Sequence, residues 1–383
     1  MILYSFEKGT FTIMKKERLV GPDILRTLAI VLVMLTHLIN YNSAYFLHTD
    51  IRSPTWTVTV FIRFTVILCV PIFLLLTGYF LSTRKPDRKH FTSIISVMVS
   101  WLVLSVISNV AEWYFFAPTA ISIPRAILNI FSFSYGYTWY VEMYLCLFLV
   151  IPYINIALDN MSRRTHLALT LIVGALTFLP SFGKSFIVTG IWFNGFPEQF
   201  EGIYCVGYYL IGAYIARYKP KPSPVLCALV FFGTVGLETA LSYYYSQTEY
   251  AWWLFVQYSA VTHAVAATAL FLLLYRVKKL PRPMGAVVRE ISVCSFEMYL
   301  ISYFTDKIFY YWWTRAFELP GIRWLTSHAL VITWACNLVC AYLLARVFRL
   351  ILTPIANGLR SLAMGKTLAV GKTLAVGKTE NAK

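Results

Sequence analysis

The chain has 383 residues, of which 58% are hydrophobic and only 13% charged, with a formal net charge of +16 and a mean hydropathy of +0.65. A water-soluble core cannot take up that much apolar surface, so a cytosolic globular protein is excluded and an all-α, polytopic membrane bundle is expected. The positive charge follows the loops between apolar runs and needs no nucleic acid to explain it.

Residues 1–20 form a basic segment with Lys8, Lys15, Lys16 and Arg18 ahead of the first apolar run. That run, 24–41, is too long for a signal peptide, contains Arg26 and lacks a small-residue cleavage site, so it is expected to persist as a helix. Runs long enough to cross a bilayer follow near 57–81, 91–116, 138–156, 167–180, 201–217, 225–244, 258–275, 291–312 and 327–350, about ten transmembrane helices in all. With the N-terminus inside, the alternate loops that stay cytoplasmic hold Arg84, Lys85, Arg88 and Lys89, then Arg163 and Arg164, then Arg217, Lys219 and Lys221, then Arg276 to Arg289. The outer loops hold only Arg52, Arg125, Lys184, Arg315 and Arg323. An even span count with both termini cytoplasmic is therefore expected. The domain boundaries fall at 21–353 for the membrane domain and 354–383 for a basic, disordered tail.

Arg26 and His37 carry the sharpest chemical signal. An α-helix turns about 100° and rises about 1.5 Å per residue, so the eleven steps between them leave the side chains within roughly 20° and about 16 Å apart along one face. Ionisable groups inside hydrocarbon cost on the order of 2.5–3.5 kcal/mol each by insertion scales, and so they usually face a protein interior or a wet cavity. Asp23, three residues before Arg26, is expected to pair with it or to cap the helix. In the second span Arg63 either snorkels to the near interface or pairs with an intramembrane carboxylate. Glu142, within TWYVEMY (138–144), is such a carboxylate, and Arg63 or His37 are its candidate partners. Arg84 and Arg88 crowd a short cytoplasmic loop, either as a topology anchor or as a cradle for a phosphorylated donor.

Other features carry less. Of the remaining histidines, His48, His90 and His166 fall in loops, while His263 lies within a span and His328 near the start of one; each is expected to be a packing residue. Glu238, Glu290, Glu297 and Asp306 lie near or inside spans; Glu290 and Glu297, one heptad apart on one face, either line a cavity or pair with Arg289 and Lys307. The seven cysteines show neither a disulfide framework nor a metal-binding spacing, and no metal is expected. The tail repeats GKTLAV from Gly365, but five residues separate Gly365 from Gly371 and no strand precedes them, so it fails as a phosphate loop. A basic tail lying against anionic lipid heads fits better.

The order of four segments resembles the bacterial acyltransferase 3 family: Asp23-x-Leu-Arg26 leading to His37, VPIFLLLTGYFL (70–81), TWYVEMYLCLFLVIP (138–152) and SFEMYLIS (295–302). The likeness spans roughly Gly21 to Thr353. It implies a ten-helix membrane O-acyltransferase of the bacterial inner membrane. Such an enzyme takes an acyl group, usually acetyl, from cytoplasmic acetyl-CoA to a hydroxyl of an envelope polysaccharide or its lipid-linked precursor. It also implies that Arg26 and His37 are the essential pair, with Arg84 and Arg88 matching loosely the family's basic pair. Arg63 joins the arginines expected to meet the donor. There are departures: Thr77 stands where the family commonly has Ser, the basic pair has one extra residue between its arginines, and Ser302 replaces a common His. No hydrolase-like outer domain is expected after the last span.

The chemistry suits these residues on its own terms. An alcohol attacking a thioester must lose its proton, and a histidine that titrates near neutrality is a suitable base. His37 fills that role, and Glu142 is the carboxylate expected at its other ring nitrogen by triad logic. A transporter would equally need buried Arg, His and Glu, but it predicts internal repeats and broken helices in matching halves, and no repeat is evident. A different membrane acyltransferase superfamily would need a late-span histidine, for which His263 is the candidate.

Overall fold

The computed structural model describes residues 2–7, 10–15, 19–41, 54–116, 137–187, 197–246, 255–313 and 323–365. Strands β1 (Ile2–Glu7) and β2 (Thr10–Lys15) pair antiparallel as a small hairpin at the N-terminus. All further regular structure among the described residues is helical. In chain order the helices are α1 (Val20–Tyr41), α2 (Pro54–Val66), α3 (Cys69–Leu81), α4 (Arg88–Ser93), α5 (Ile95–Phe116), α6 (Trp139–Asp159) and α7 (Arg163–Ile187). A short 3-10 segment (Glu198–Ile203) then leads into α8 (Tyr204–Tyr218), α9 (Pro224–Tyr245), α10 (Val261–Leu274) and α11 (Arg282–Asp306). A π-helical stretch (Lys307–Trp313) follows, and α12 (Arg323–Ala363) is last.

Each of the ten apolar runs falls largely on helix. Among the described residues six stretches are long and apolar enough to cross a membrane: Val20–Tyr41, Trp56–Leu81, Arg88–Ala111, Trp139–Asp159, Pro224–Tyr245 and Leu330–Ala363. The apolar helix α10 is shorter. The surfaces agree with a lipid environment. Leu229, Phe232 and Leu237 lie exposed on α9 while Glu238, Thr239 and Ser242 on the same helix are buried, and Leu343, Val347, Leu350 and Ile351 lie exposed along α12. Apolar outside and polar inside is the arrangement of a helix whose solvent is lipid.

Two differences from expectation have local causes. The second apolar run is not one helix: it breaks at Ile67 and Leu68 between α2 and α3. Pro71 explains the position, because its ring clashes with the carbonyl four residues back, that of Ile67, and it cannot donate to it. At the other end, α12 runs past the expected boundary at 353 to Ala363, even with Pro354 inside it. There Thr92 Oγ1 of α4 lies 3.3 Å from the Met364 sulfur, and Gly365 turns the chain in the left-handed region at φ 70°.

The chain divides into two compact units, Met1–Phe80 with Leu167–Ser295, and Leu81–His166 with Phe296–Lys383. In the first unit α1, α2, α9 and α10 pack together, and α3 crosses α8. The crossing is close because Gly78 lies against the Tyr209 carbonyl and Gly212 against that of Leu75, so any side chain at either glycine would overlap backbone. In the second unit α12 packs along α5, and Glu297 of α11 pairs with Arg349 of α12 at 3.0 and 3.2 Å. That partner replaces the expected Lys307, whose ammonium instead lies 4.3 Å from the Tyr303 ring centre.

Candidate active site

In the first unit Arg26 and His37 are both half-buried on α1, where the apolar run folds as one unbroken helix. The guanidinium of Arg26 lies 5.1 Å from the centre of the Phe80 ring, at the C-terminal end of α3. Asp23 is buried and accepts a hydrogen bond from Ser292 Oγ of α11 at 2.7 Å, so it ties the base of α1 to α11. Thr27 Oγ1 donates to the Val288 carbonyl at 2.8 Å and strengthens the same seam.

Beside His37, Thr36 Oγ1 donates to the Val66 carbonyl at 3.2 Å, which holds α1 against the broken end of α2. Just before that break stand Arg63, buried rather than snorkelling outward, and Phe64. The Phe64 ring lies 6.5 Å from that of His263 on α10. His263 Nδ1 donates to the Gln257 carbonyl at 2.9 Å. Its Nε2 lies 3.2 Å from Glu238 Oε1 of α9, within ion-pair distance though not aligned as a hydrogen bond, and both side chains are fully buried.

Thr36 and Phe64, the chain neighbours of His37 and Arg63, thus lead from α1 through α2 to the Glu238 and His263 pair. Gly21 of α1 packs against the carbonyls of Leu274 and Tyr275, so α1 begins where α10 ends. Counting about 1.5 Å per residue from that level, His37 lies about 24 Å along α1 and His263 about 18 Å back along α10. His263 therefore falls between Arg26 and His37 in height. His263 is buried as a packing residue is expected to be, and it has a carboxylate beside it that its own sequence neighbourhood does not show.

In the second unit, Glu142 is half-buried on α6 and accepts a hydrogen bond from Thr138 Oγ1 at 3.3 Å. Arg84 is half-buried and Arg88 exposed. Asn155 of α6 pins the loop before α4 by donating to the carbonyls of Leu81 and Arg84 at 2.8 and 2.9 Å. Asp87 caps α4, accepting from the His90 amide at 2.6 Å. His90 is thereby a helix residue and not a loop residue. It is fully buried, with its ring stacked on Phe148 at 3.9 Å and Nε2 3.0 Å from the Phe148 carbonyl. His166 is likewise helical and buried, on α7, and His328 lies on α12, while His48 lies outside the described residues. The basic loop is thus a fixed platform from which Lys85, Arg88 and Lys89 project, a surface suited to phosphate groups.

An apolar cleft of about 640 Å³ between α7, α8, α9 and α10 is lined by Leu171, Phe178, Ile211, Val230 and Val265 and by no charged side chain. It suits a hydrocarbon chain and not the phosphates of a donor. Among the described residues no group of three or more His, Cys, Asp or Glu could hold a metal ion.

Neither the curated proteins nor the solved structures include a match to this chain. A family model described as an acyltransferase domain matches residues 19–346, which spans every helix from α1 into α12. With its lipid-facing helices, the chain is a multi-pass membrane protein that belongs to the acyltransferase 3 family.

Proposed function

We propose that the protein is an O-acetyltransferase of the bacterial inner membrane, with both termini in the cytoplasm and ten spans. In this reading it moves an acetyl group from cytoplasmic acetyl-CoA to a hydroxyl of an envelope polysaccharide or its lipid-linked precursor. The observation that carries the reading is the Arg26 and His37 pair on one face of α1, inside the region that matches the family.

His37 is the general base. It takes the acceptor's proton as the hydroxyl oxygen attacks the thioester carbon, and the departing thiolate must regain one. Arg26, nearer the start of α1, meets the donor's anionic or carbonyl groups through its planar fork of N–H donors. Arg84 and Arg88 hold the donor's phosphates, and Arg63 supplies further positive charge. Glu142 enters as the intramembrane carboxylate of the reaction.

The test is transfer of radiolabelled acetyl from acetyl-CoA to envelope glycan in membranes carrying the wild-type chain or His37→Ala at matched levels. The expected result is labelling in wild type and loss of about a hundredfold or more in the variant, within the range of general-base effects. Labelling that survives the substitution places the base elsewhere. No labelling in wild type overturns the acetyl-CoA reading and turns attention to solute uptake.

A further inference from the structure

Glu238 and His263 are buried, titratable and in contact, and the reaction as written above gives them no role. Their proton count is constrained by their surroundings. His263 Nδ1 carries a proton, since it faces the Gln257 carbonyl at 2.9 Å. Nε2 faces Glu238 Oε1 at 3.2 Å with both side chains fully buried. A neutral imidazole beside a bare carboxylate would set two lone pairs against each other at 3.2 Å with no proton between them, which is strongly unfavourable in an apolar bundle. The pair therefore holds one further proton, as imidazolium with carboxylate or as imidazole with carboxylic acid. It has room for a single proton more, which would make it imidazolium with carboxylic acid.

Its neighbours suit proton movement. Glu238 Oε2, Ser242 Oγ, Gln257 Oε1 and Thr262 Oγ1 are buried and have no hydrogen-bond partner among the described residues. Ser242 stands one turn beyond Glu238 on α9, Thr262 is next to His263, and Gln257 already accepts from the histidine through its carbonyl. Buried oxygens are almost always satisfied, and such a set is what a short chain of ordered waters needs. Through Phe64 and the Thr36 to Val66 hydrogen bond the pair is tied to the turn of α1 that carries His37. In height it falls between His37 and Arg26.

We propose that Glu238 and His263 are a proton-holding pair that serves His37 during acyl transfer. This rests on the acyltransferase reading. In the reaction the acceptor's O–H bond breaks as its oxygen bonds to the acyl carbon. The thioester C–S bond breaks, and the proton ends on the thiolate sulfur, so no net proton is released. The base and the leaving group lie at different heights along α1 in this reading. The pair accepts the proton that His37 has taken and returns it toward the thiolate. Neither residue touches the acceptor; both act through His37.

The test uses the full-length protein in membranes, with Glu238→Gln and Glu238→Asp compared with wild type for kcat, for the acetyl-CoA KM and for thermal unfolding. Glutamine keeps the volume and the hydrogen-bonding reach but cannot carry the proton. The expected result is a kcat for Glu238→Gln lowered about a hundredfold with KM unchanged, the range assigned to general acid–base groups, and a partial recovery in Glu238→Asp. A purely structural pair would instead lose thermal stability and keep kcat. Wild-type kcat in a folded Glu238→Gln overturns the proposal while leaving the acyltransferase reading intact. If the glutamine variant fails to fold, wild-type kcat in a folded His263→Gln overturns the proposal in the same way. Absence of transfer in wild type overturns both readings together.

Discussion

Removing one half of the Glu238–His263 pair strands the other half inside the bundle, and leaving a buried polar group without its partner costs about 1–3 kcal/mol, more where it keeps a charge. Replacing both halves with apolar side chains of similar size removes the stranded group, and such exchanges are often neutral or stabilising. Glu238→Ala or His263→Ala should therefore lower the unfolding temperature sharply in detergent, whereas the double variant Glu238→Leu with His263→Leu should recover most of it. Recovery of stability without recovery of transfer would separate the pair's chemistry from its packing. A double variant less stable than either single one would show that the two groups hold the helices together independently of charge. The pairing itself was not legible residue by residue. Glu238 and His263 each read as an isolated polar group, and only the side-by-side packing of α9 and α10 makes them one site. The signal that could have found them is that both lie inside neighbouring apolar runs, close to the short connection between them.

Helices explain more of what the sequence pattern hides. The segment VPIFLLLTGYFL carries much of the family likeness, and its glycine matters for packing, because Gly78 lets α3 meet α8 backbone to backbone with Gly212 as its counterpart. Gly78→Leu or Gly212→Val should force the two helices apart. Each should destabilise the protein by more than the about 1–3 kcal/mol typical of overpacking a core, because the atoms in the way are backbone and cannot swing aside. Thermal unfolding in detergent measures this, and unchanged stability would mean that the crossing is looser than described. Most elements were readable from apolar run length, because a membrane helix must satisfy its backbone internally over about 20 residues. The same measure concealed the break at Ile67, since hydropathy is indifferent to the missing N–H of Pro71. It also truncated α12, whose last turns are more polar than its middle yet remain helical where Thr92 meets Met364. Arg26 and His37 stand out because ionisable groups in an apolar run are conspicuous, and the run length places both on one helix. Arg63 was conspicuous too, but its burial depends on neighbours that run length does not reveal.

At the scale of the molecule, the ends of the first unit differ in charge. Gly21 at the start of α1 meets the end of α10, and the Tyr275 hydroxyl donates to the Pro220 carbonyl just after α8, so these termini share one end. Lys219, Lys221, Arg276, Lys278 and Lys279 follow these helices, most of them exposed. At the opposite end Trp56 of α2 is buried in edge contact with Tyr243 of α9, and the exposed Tyr243 and Tyr244 suit an interfacial aromatic belt. Positive charge tends to stay in the cytoplasm, so the proposed topology has the start of α1 inside. Single cysteines placed at Lys278 and at Glu198, in a background without the seven native cysteines, test the orientation with a membrane-impermeant maleimide on intact cells. Glu198, which is exposed in the segment between α7 and α8, should react before lysis, and Lys278 only after it. The reverse pattern would put Arg26 at the outer end of α1 and His37 toward the cytoplasm. A donor confined to the cytoplasm would then meet the base before the arginine, and the division of roles along α1 would have to be exchanged.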